Sequence, residues 1–245
     1  DVGFGGEDDN DGIYHSRYDS FDHFDRFGDP GFKYEVTLAQ VAGRIVLRMA
    51  DADLLPMRFG DFSATFDRYV AQLHKLADDE RKKADEQHKL LDAHAYELVS
   101  DPTRPVAPPE PLSDVPAIDF APLDAAAKNL KTSTDAFQSA YAAHAAAGFK
   151  LSAKQSERIN ALMGRMEQAL TDPNGLPGRE WFKHMIYAPG LLTGYGVKTV
   201  PGVREALEAR NWQQADDYAA ITARTLDSYR ADLDKLTALL QEDKR

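Results

Sequence analysis

Residues 211–240 read NWQQADDYAAITARTLDSYRADLDKLTALL. Asn211, with Gln214 three residues on, supplies the residue types that open a helix. Tyr218, Ile221, Leu226, Tyr229, Leu233, Leu236 and Leu240 then recur mostly at spacings of three and four. That period predicts one long amphipathic helix with a wide apolar face. Such a face must be covered, so the segment predicts a helical bundle around it.

Working back from this helix, residues 203–210 predict a short helix. Residues 173–201 are rich in Gly, Pro and aromatics and predict an irregular connection, of a length that is usually functional or packed against something. Before it, Ser152 and Gln155 form a capping box for a helix whose face is Ile159, Leu162, Met163, Met166 and Leu170. Asp172-Pro173 stops that helix. Leu123, Leu130, Phe137 and Tyr141 line an Ala-rich helix ending at Gly148. Pro102, Pro105, Pro108, Pro109, Pro111 and Pro116 make a stiff extended connector.

The preceding helix is expected over about 61–99. Phe62, Phe66, Tyr69, Val70, Leu73 and Leu76 give its first half an apolar face. Residues 78–89 are nearly all polar, so this half is expected to leave the core and project into solvent. Upstream of Pro56, residues 37–51 predict another helix, capped by Thr37 with Gln40. Its face is Leu38, Val41, Ala42, Ile45 and Met49. Residues up to about 33 read as loops with a short helix near 20–27.

Composition bounds the function. The 245 residues carry a net charge of −11, with 43% hydrophobic and 28% charged residues. That mix fits an ordinary globular protein. The negative balance argues against a nucleic-acid partner and against docking on an anionic membrane. No apolar stretch is long enough to span a bilayer. The absence of cysteine removes disulfides, thiol catalysis and thiolate metal sites. The opening Asp1-Val2-Gly3-Phe4-Gly5-Gly6 lacks an initiator Met, and the natural protein is expected to extend upstream.

Chemistry-bearing motifs are sparse. Glu7-Asp8-Asp9-Asn10-Asp11-Gly12 has the look of a calcium loop, but Glu7 and Tyr18 stand where the pattern wants Asp and Glu. An acidic solvated loop is the expected reading. His15, His23, His74, His88, His94, His144 and His184 form no His-Glu-x-x-His pair and no set at zinc spacing. His74, His88, His94 and His144 are expected to be surface or hydrogen-bonded structural residues. There is no nucleophile elbow, phosphate loop or dinucleotide fingerprint.

Seven fragments in fixed order carry more information. They are Tyr14-His15-Ser16-Arg17-Tyr18-Asp19-Ser20-Phe21, Asp29-Pro30-Gly31-Phe32-Lys33-Tyr34, Thr37-Leu38-Ala39-Gln40-Val41-Ala42-Gly43 and Leu54-Leu55-Pro56. Downstream come Asp172-Pro173-Asn174-Gly175-Leu176-Pro177-Gly178-Arg179, His184-Met185-Ile186-Tyr187-Ala188-Pro189 and Val200-Pro201-Gly202. Together they resemble the C-terminal part of the glutamate carboxypeptidase II / transferrin receptor family, with an atypical insertion around the Pro-rich connector.

The resemblance implies a mainly α fold: an up-and-down helical dimerisation domain over 53–245, preceded over 1–52 by the remnant of an α/β zinc peptidase domain. It implies that His15 is a zinc ligand and that Tyr14 stabilises the tetrahedral intermediate. Neutral imidazole suits zinc, and a phenol can donate to a developing oxyanion. The other ligands and the carboxylate base would lie upstream, so this chain alone is expected to be inactive. Where the family holds a substrate's terminal carboxylate with a Lys-Tyr pair, this chain has Gly194-Tyr195. Loss of the cation puts acidic specificity in doubt, and an aminopeptidase-like or broader exopeptidase fits equally. The implied partners are a second copy, the upstream peptidase domain and a peptide substrate. The implied setting is periplasmic or extracellular. The alternative is a non-catalytic, receptor-like dimeric scaffold, but retention of His15 favours the enzyme.

Overall fold

The computed structural model describes residues 2–4, 12–149 and 151–242. The acidic stretch of residues 7–11 lies outside them. The chain divides into two compact units, Asp1–Pro56 and Met57–Arg245.

In the first unit, Ser20 caps a short turn, α1 (Phe21–His23), which continues as a π-turn over Phe24–Gly28. Helix α2 spans Lys33–Ala50 and starts four residues before the position expected. Thr37 is not its cap: the Thr37 hydroxyl lies inside the helix and donates back to the Lys33 carbonyl at 2.7 Å. The cap is Asp29, whose carboxylate accepts from the Tyr34 and Glu35 amides at 3.1 and 3.0 Å. Asp29 can reach that far because Gly31 and Phe32 both take left-handed backbone angles, φ 75° and 56°. Burial pushes the Asp29 carboxyl up, but the amides of Glu35, Tyr34 and Lys33 outweigh it and hold it below the ordinary 3.8. No residue of α2 is buried; Val41 and Ile45, from its expected apolar face, are exposed, as are Val46 and Leu47.

The second unit is built on α3 (Phe59–Asp92), a 34-residue helix about 50 Å long. His94 turns the chain at φ 52° into the single turn α4 (Ala95–Leu98). Residues 99–104 turn, residues 105–119 run without helix or strand, and then come α5 (Ala121–Ala146) and α6 (Ala153–Met163). A 3₁₀ turn, Met166–Leu170, leads to an antiparallel hairpin, β1 (Tyr187–Pro189) with β2 (Val197–Thr199). Helices α7 (Pro201–Glu208) and α8 (Trp212–Gln241) close the order. The expected irregular stretch therefore contains a small hairpin. The caps of α6 and α8 are as read: Ser152 and Gln155 bond reciprocally, and Asn211 accepts from the Gln214 amide. Gly148, at φ 75°, ends α5 with Phe149 N–H to His144 O and Gly148 N–H to Ala145 O, a Schellman pair.

The helices alternate in direction. Contacts Asp124–His74 and Phe137–Phe59 make α5 antiparallel to α3. Arg158–Glu242 makes α6 antiparallel to α8. Helices α5 and α8 share a direction and form the largest helix contact, with Asp119 meeting Asp216 at one end and His144 the Leu240 carbonyl at the other. Phe66, Leu73, Leu123, Leu130, Phe137, Leu226, Leu233 and Leu236 fill the interior.

The polar half of α3 corrects the expectation. Its covered positions Phe59, Ser63, Phe66, Val70, Leu73, Ala77 and Ala84 form one stripe along the helix. Apart from Ser63, the stripe is apolar as far as Ala77. Beyond it, Glu80 pairs with Arg210 at 2.5 Å, both side chains largely buried. Gln87 accepts from the Leu112 amide at 2.7 Å and donates to the Glu110 carbonyl at 3.4 Å. His88 bonds the Leu112 carbonyl at 2.7 Å, and Arg81 the Pro116 carbonyl at 3.4 Å. The Pro-rich connector is thus a strap laid antiparallel along α3. Its half-buried residues Leu112, Val115 and Ile118 recur every third position, the period of polyproline II.

Arg210 joins three segments: α3 through Glu80, the strap through the Ser113 carbonyl, and the Trp212 ring 5.0 Å away. Arg210→Met leaves the largely buried Glu80 with the more exposed Lys83, 3.5 Å away, in place of its short Arg210 bond, so a loss of about 2 kcal/mol in urea unfolding is expected, with faster protease cleavage in the strap. Asp29 gives a pH signature. Its folded value is depressed, so its stabilisation is complete above the ordinary 3.8 and disappears as pH falls through the folded value. Amide protection in the first turn of α2 should fade over that acid window, and Asp29→Ala should show weak protection at every pH.

Candidate functional site

Tyr14 and His15 sit in a tight turn of the first unit. The Ser16 amide bonds the Ile13 carbonyl at 3.0 Å, and the Asp19 amide the Ser16 carbonyl at 3.2 Å. The His15 amide donates to the Asp19 carboxylate at 3.1 Å. His15 itself has φ 60°, a left-handed angle that a non-glycine residue rarely takes and that concentrates at functional sites. Its ring stacks on Tyr14 at 4.0 Å between centroids, and both residues are exposed. No ring nitrogen of His15 bonds another described residue. Among the described residues no group of three His, Cys, Asp or Glu could hold a metal ion.

His23 has ring contacts with Tyr18 and Phe27, and the remaining five histidines make structural bonds. His74 meets Asp124, His88 and His144 bond main-chain carbonyls, and His94 meets Glu97. His184 accepts the Ile186 and Tyr187 amides on Nδ1 at 3.2 and 3.1 Å. Its proton therefore sits on Nε2, which donates to Glu167 at 2.9 Å.

Gly194 and Tyr195 lie at the tip of the β1–β2 hairpin. Gly194 has φ 59°, which suits the turn to glycine. Tyr195 is 96% exposed and Leu192 94%. The tip is nonetheless built. The Gly190 amide bonds the Gly196 carbonyl at 2.9 Å, and the Thr193 hydroxyl donates to the same carbonyl at 3.2 Å. The base of the hairpin is held by aromatics. Tyr187 meets Tyr69 edge-on at 6.1 Å and stacks with His184 at 5.6 Å. Burial first, and then the Tyr69 hydroxyl, push the Tyr187 phenol up to about 12, so it stays protonated at any physiological pH.

Two glutamates of α7 hold the two arms. Glu205 accepts from the Leu191 amide at 2.8 Å, and Glu208 takes the Lys198 ammonium at 2.7 and 2.8 Å. They are three apart and share a helix face. Their spacing was visible in the sequence, but without the hairpin nothing gave it meaning. Beside β2 lies an open groove of about 560 Å³, lined in part by Tyr69, Gln72, Lys198 and Arg204. Arg204 bonds the Thr199 carbonyl and hydroxyl and the Gln72 side chain. The two pairs Tyr14–His15 and Gly194–Tyr195 belong to different units.

Residues 118–234 match the transferrin receptor-like dimerisation domain, a span from the end of the strap into α8. The chain belongs to the glutamate carboxypeptidase / transferrin receptor family. Within this family it is 29% identical over 197 residues to the probable glutamate carboxypeptidase LAMP1 of Arabidopsis thaliana, covering 80% of this chain and 23% of that protein. It is 25% identical over 240 residues to the aminopeptidase NAALADL1 of Rattus norvegicus, covering 92% of this chain and 26% of the relative. A 51-residue stretch is 41% identical to an inactive zinc metalloprotease of Schizosaccharomyces pombe, 21% of this chain and 6% of that protein. The chain spans about a quarter of the length of the carboxypeptidase and aminopeptidase relatives. The mainly helical second unit is the architecture of a dimerisation domain, and no helix among the described residues is long and apolar enough to cross a membrane.

Proposed function

We propose that this chain is the dimerising and substrate-pocket-completing part of a zinc-dependent exopeptidase, and that it is inactive alone. The carrying observation is the tip of the hairpin: a tyrosine almost wholly exposed, on a loop fixed by its own hydrogen bonds and by α7. A rigid, solvent-facing aromatic is arranged to meet something else. Residues 1–52 are the end of the peptidase domain, and the open apolar face of α2 is where the rest of that domain packs.

His15 fits one place in a zinc centre: an exposed imidazole, in a strained turn, with no ring-nitrogen bond among the described residues. A catalytic zinc needs two further protein ligands, which the upstream domain supplies. When bound, the metal polarises the scissile carbonyl and lowers the pKa of its water. Tyr14, stacked beside the ligand, offers a phenol O–H to the oxyanion. At the specificity loop, Gly194 brings no charge, and the nearby cations are engaged, Lys198 by Glu208 and Arg204 by Thr199 and Gln72. This favours a broader or aminopeptidase-like preference over strict selection of a C-terminal glutamate. The homodimer forms through the helical unit.

In the full-length protein, His15→Ala should release zinc and abolish turnover while leaving the dimer intact. Tyr14→Phe should keep the metal and lower kcat about 10²-fold or more. Zinc retained in His15→Ala, or turnover by this chain alone, would overturn the assignment. Sedimentation at micromolar concentration should give a dimer; a monomer throughout would remove the dimerising role. A second reading, a non-catalytic dimeric scaffold, draws on the 41% likeness to a metalloprotease named as inactive. A full-length protein that binds no zinc would favour it.

A further inference from the structure

The loop that presents Tyr195 has no apolar anchor of its own. Leu191, Leu192, Tyr195 and Val197 are 55%, 94%, 96% and 67% exposed. Packing therefore does not set its place. The hairpin pairing and the Gly190–Gly196 and Thr193–Gly196 bonds tie the loop to itself. Beyond the aromatic contacts at the hairpin base, bonds to α7 tie it to the helical body, and of these the Glu205 bond grips the main chain early in the loop, 2.8 Å from the Leu191 amide. The Glu208 bond grips the end of a flexible lysine.

Glu205 is itself held. Its other oxygen receives Arg179 Nη2 at 2.7 Å, with the Arg179 side chain 3% and the Glu205 side chain 19% exposed. Arg179 is fixed through its backbone, which bonds the Leu176 carbonyl and the Phe182 amide at 3.1 and 2.9 Å. Its Nε and Nη1 are buried with no partner among the described residues. The guanidinium also lies over the Phe182 ring, 5.8 Å from its centroid. A buried guanidinium with one carboxylate partner among the described residues is still a poor way to stabilise a fold. It is a good way to lock one carboxylate rotamer, because charge-assisted bonds are short and directional.

We propose that Glu205 is the positioning residue of the specificity loop: aimed by Arg179, its carboxylate fixes the Leu191 amide and so the place of Tyr195. This rests on the pocket role of Tyr195 put forward above. Glu205 touches no substrate.

A single substitution would strand a buried charge, so the test uses paired changes in the full-length protein. R179M/E205M removes both charges and the acceptor. R179M/E205Q removes the charges but keeps an amide oxygen for Leu191. Removing both partners of a buried pair leaves the fold intact where removing one does not. Expected for R179M/E205M is a rise of about tenfold in Leu191 amide exchange, the scale of one bond to a charged acceptor. The same variant should raise KM for peptide substrates with kcat unchanged. R179M/E205Q should recover most of both. Tyr195→Ala, as reference, should raise KM. Leu191 exchange equal in the two double variants would overturn the anchor. A KM raised by Tyr195→Ala but not by R179M/E205M would overturn the positioning role alone. A KM moved by neither, with Leu191 exchange raised, would instead overturn the pocket reading of Tyr195.

Discussion

A helix 34 residues long with an apolar face for only half its length needs two kinds of cover. The second unit is organised around that constraint. Where α3 offers Phe59, Phe66, Val70 and Leu73, another helix, α5, packs on it with Phe137, Leu130 and Leu123. Where it offers Glu80, Arg81, Gln87 and His88, an extended strap lies on it instead. An extended chain without internal hydrogen bonds exposes its carbonyls and its few amides. Long polar side chains can reach these, whereas a helix would have satisfied them already. The prolines of the strap remove donors that would otherwise need partners and hold the chain straight along the groove.

The strap has a consequence for the hairpin. Arg210 ends α7 with a left-handed turn, φ 56°, and its guanidinium is held by Glu80 of α3 and Ser113 of the strap. Arg204, two turns earlier, reaches Gln72. Helix α7 is therefore bolted to α3 at both ends by arginines. Glu205 and Glu208, between them, inherit a fixed frame and pass it to the hairpin. The chain of support runs from strap and α3, through α7, to the loop that shows Tyr195. A loop on such a frame can be fully exposed without losing its shape.

How much of this was legible in the sequence depended on where the partner of each residue lies. The Ser152–Gln155 box and the Gly148 cap were legible because each is complete within a few residues. Thr37 with Gln40 had the same letters and was wrong. Asp29, five and six residues upstream of the amides it caps, wins because Gly31 and Phe32 bend the chain back toward α2. No short pattern encodes that bend. The polar half of α3 misled for a different reason. Its partners are mostly backbone atoms, which every residue has, so composition reads the segment as solvated when it is covered. Histidines read as structural proved to be so, because His88 and His144 need only a carbonyl nearby.

The candidate site divides along the same line. Tyr14 and His15 were named from an ordered motif and Gly194 and Tyr195 from the family resemblance, and both tyrosines are exposed. What the motifs did not reveal is the support behind them. Glu205 looks like any surface helix acid until Leu191 and Arg179 are seen on either side of it. Arg179 was in view as the last residue of Asn-Gly-Leu-Pro-Gly-Arg, yet with Glu180 directly beside it the sequence gave no reason to pair it with a glutamate 26 positions away. The physical reason the pair is informative is its inefficiency: two buried guanidinium donors have no hydrogen-bond partner among the described residues. A fold selected for stability alone would fill that space with a methionine or leucine. Keeping a charge there is sensible when the carboxylate it holds has a second task, and the Leu191 amide is the one bond in which that task is visible.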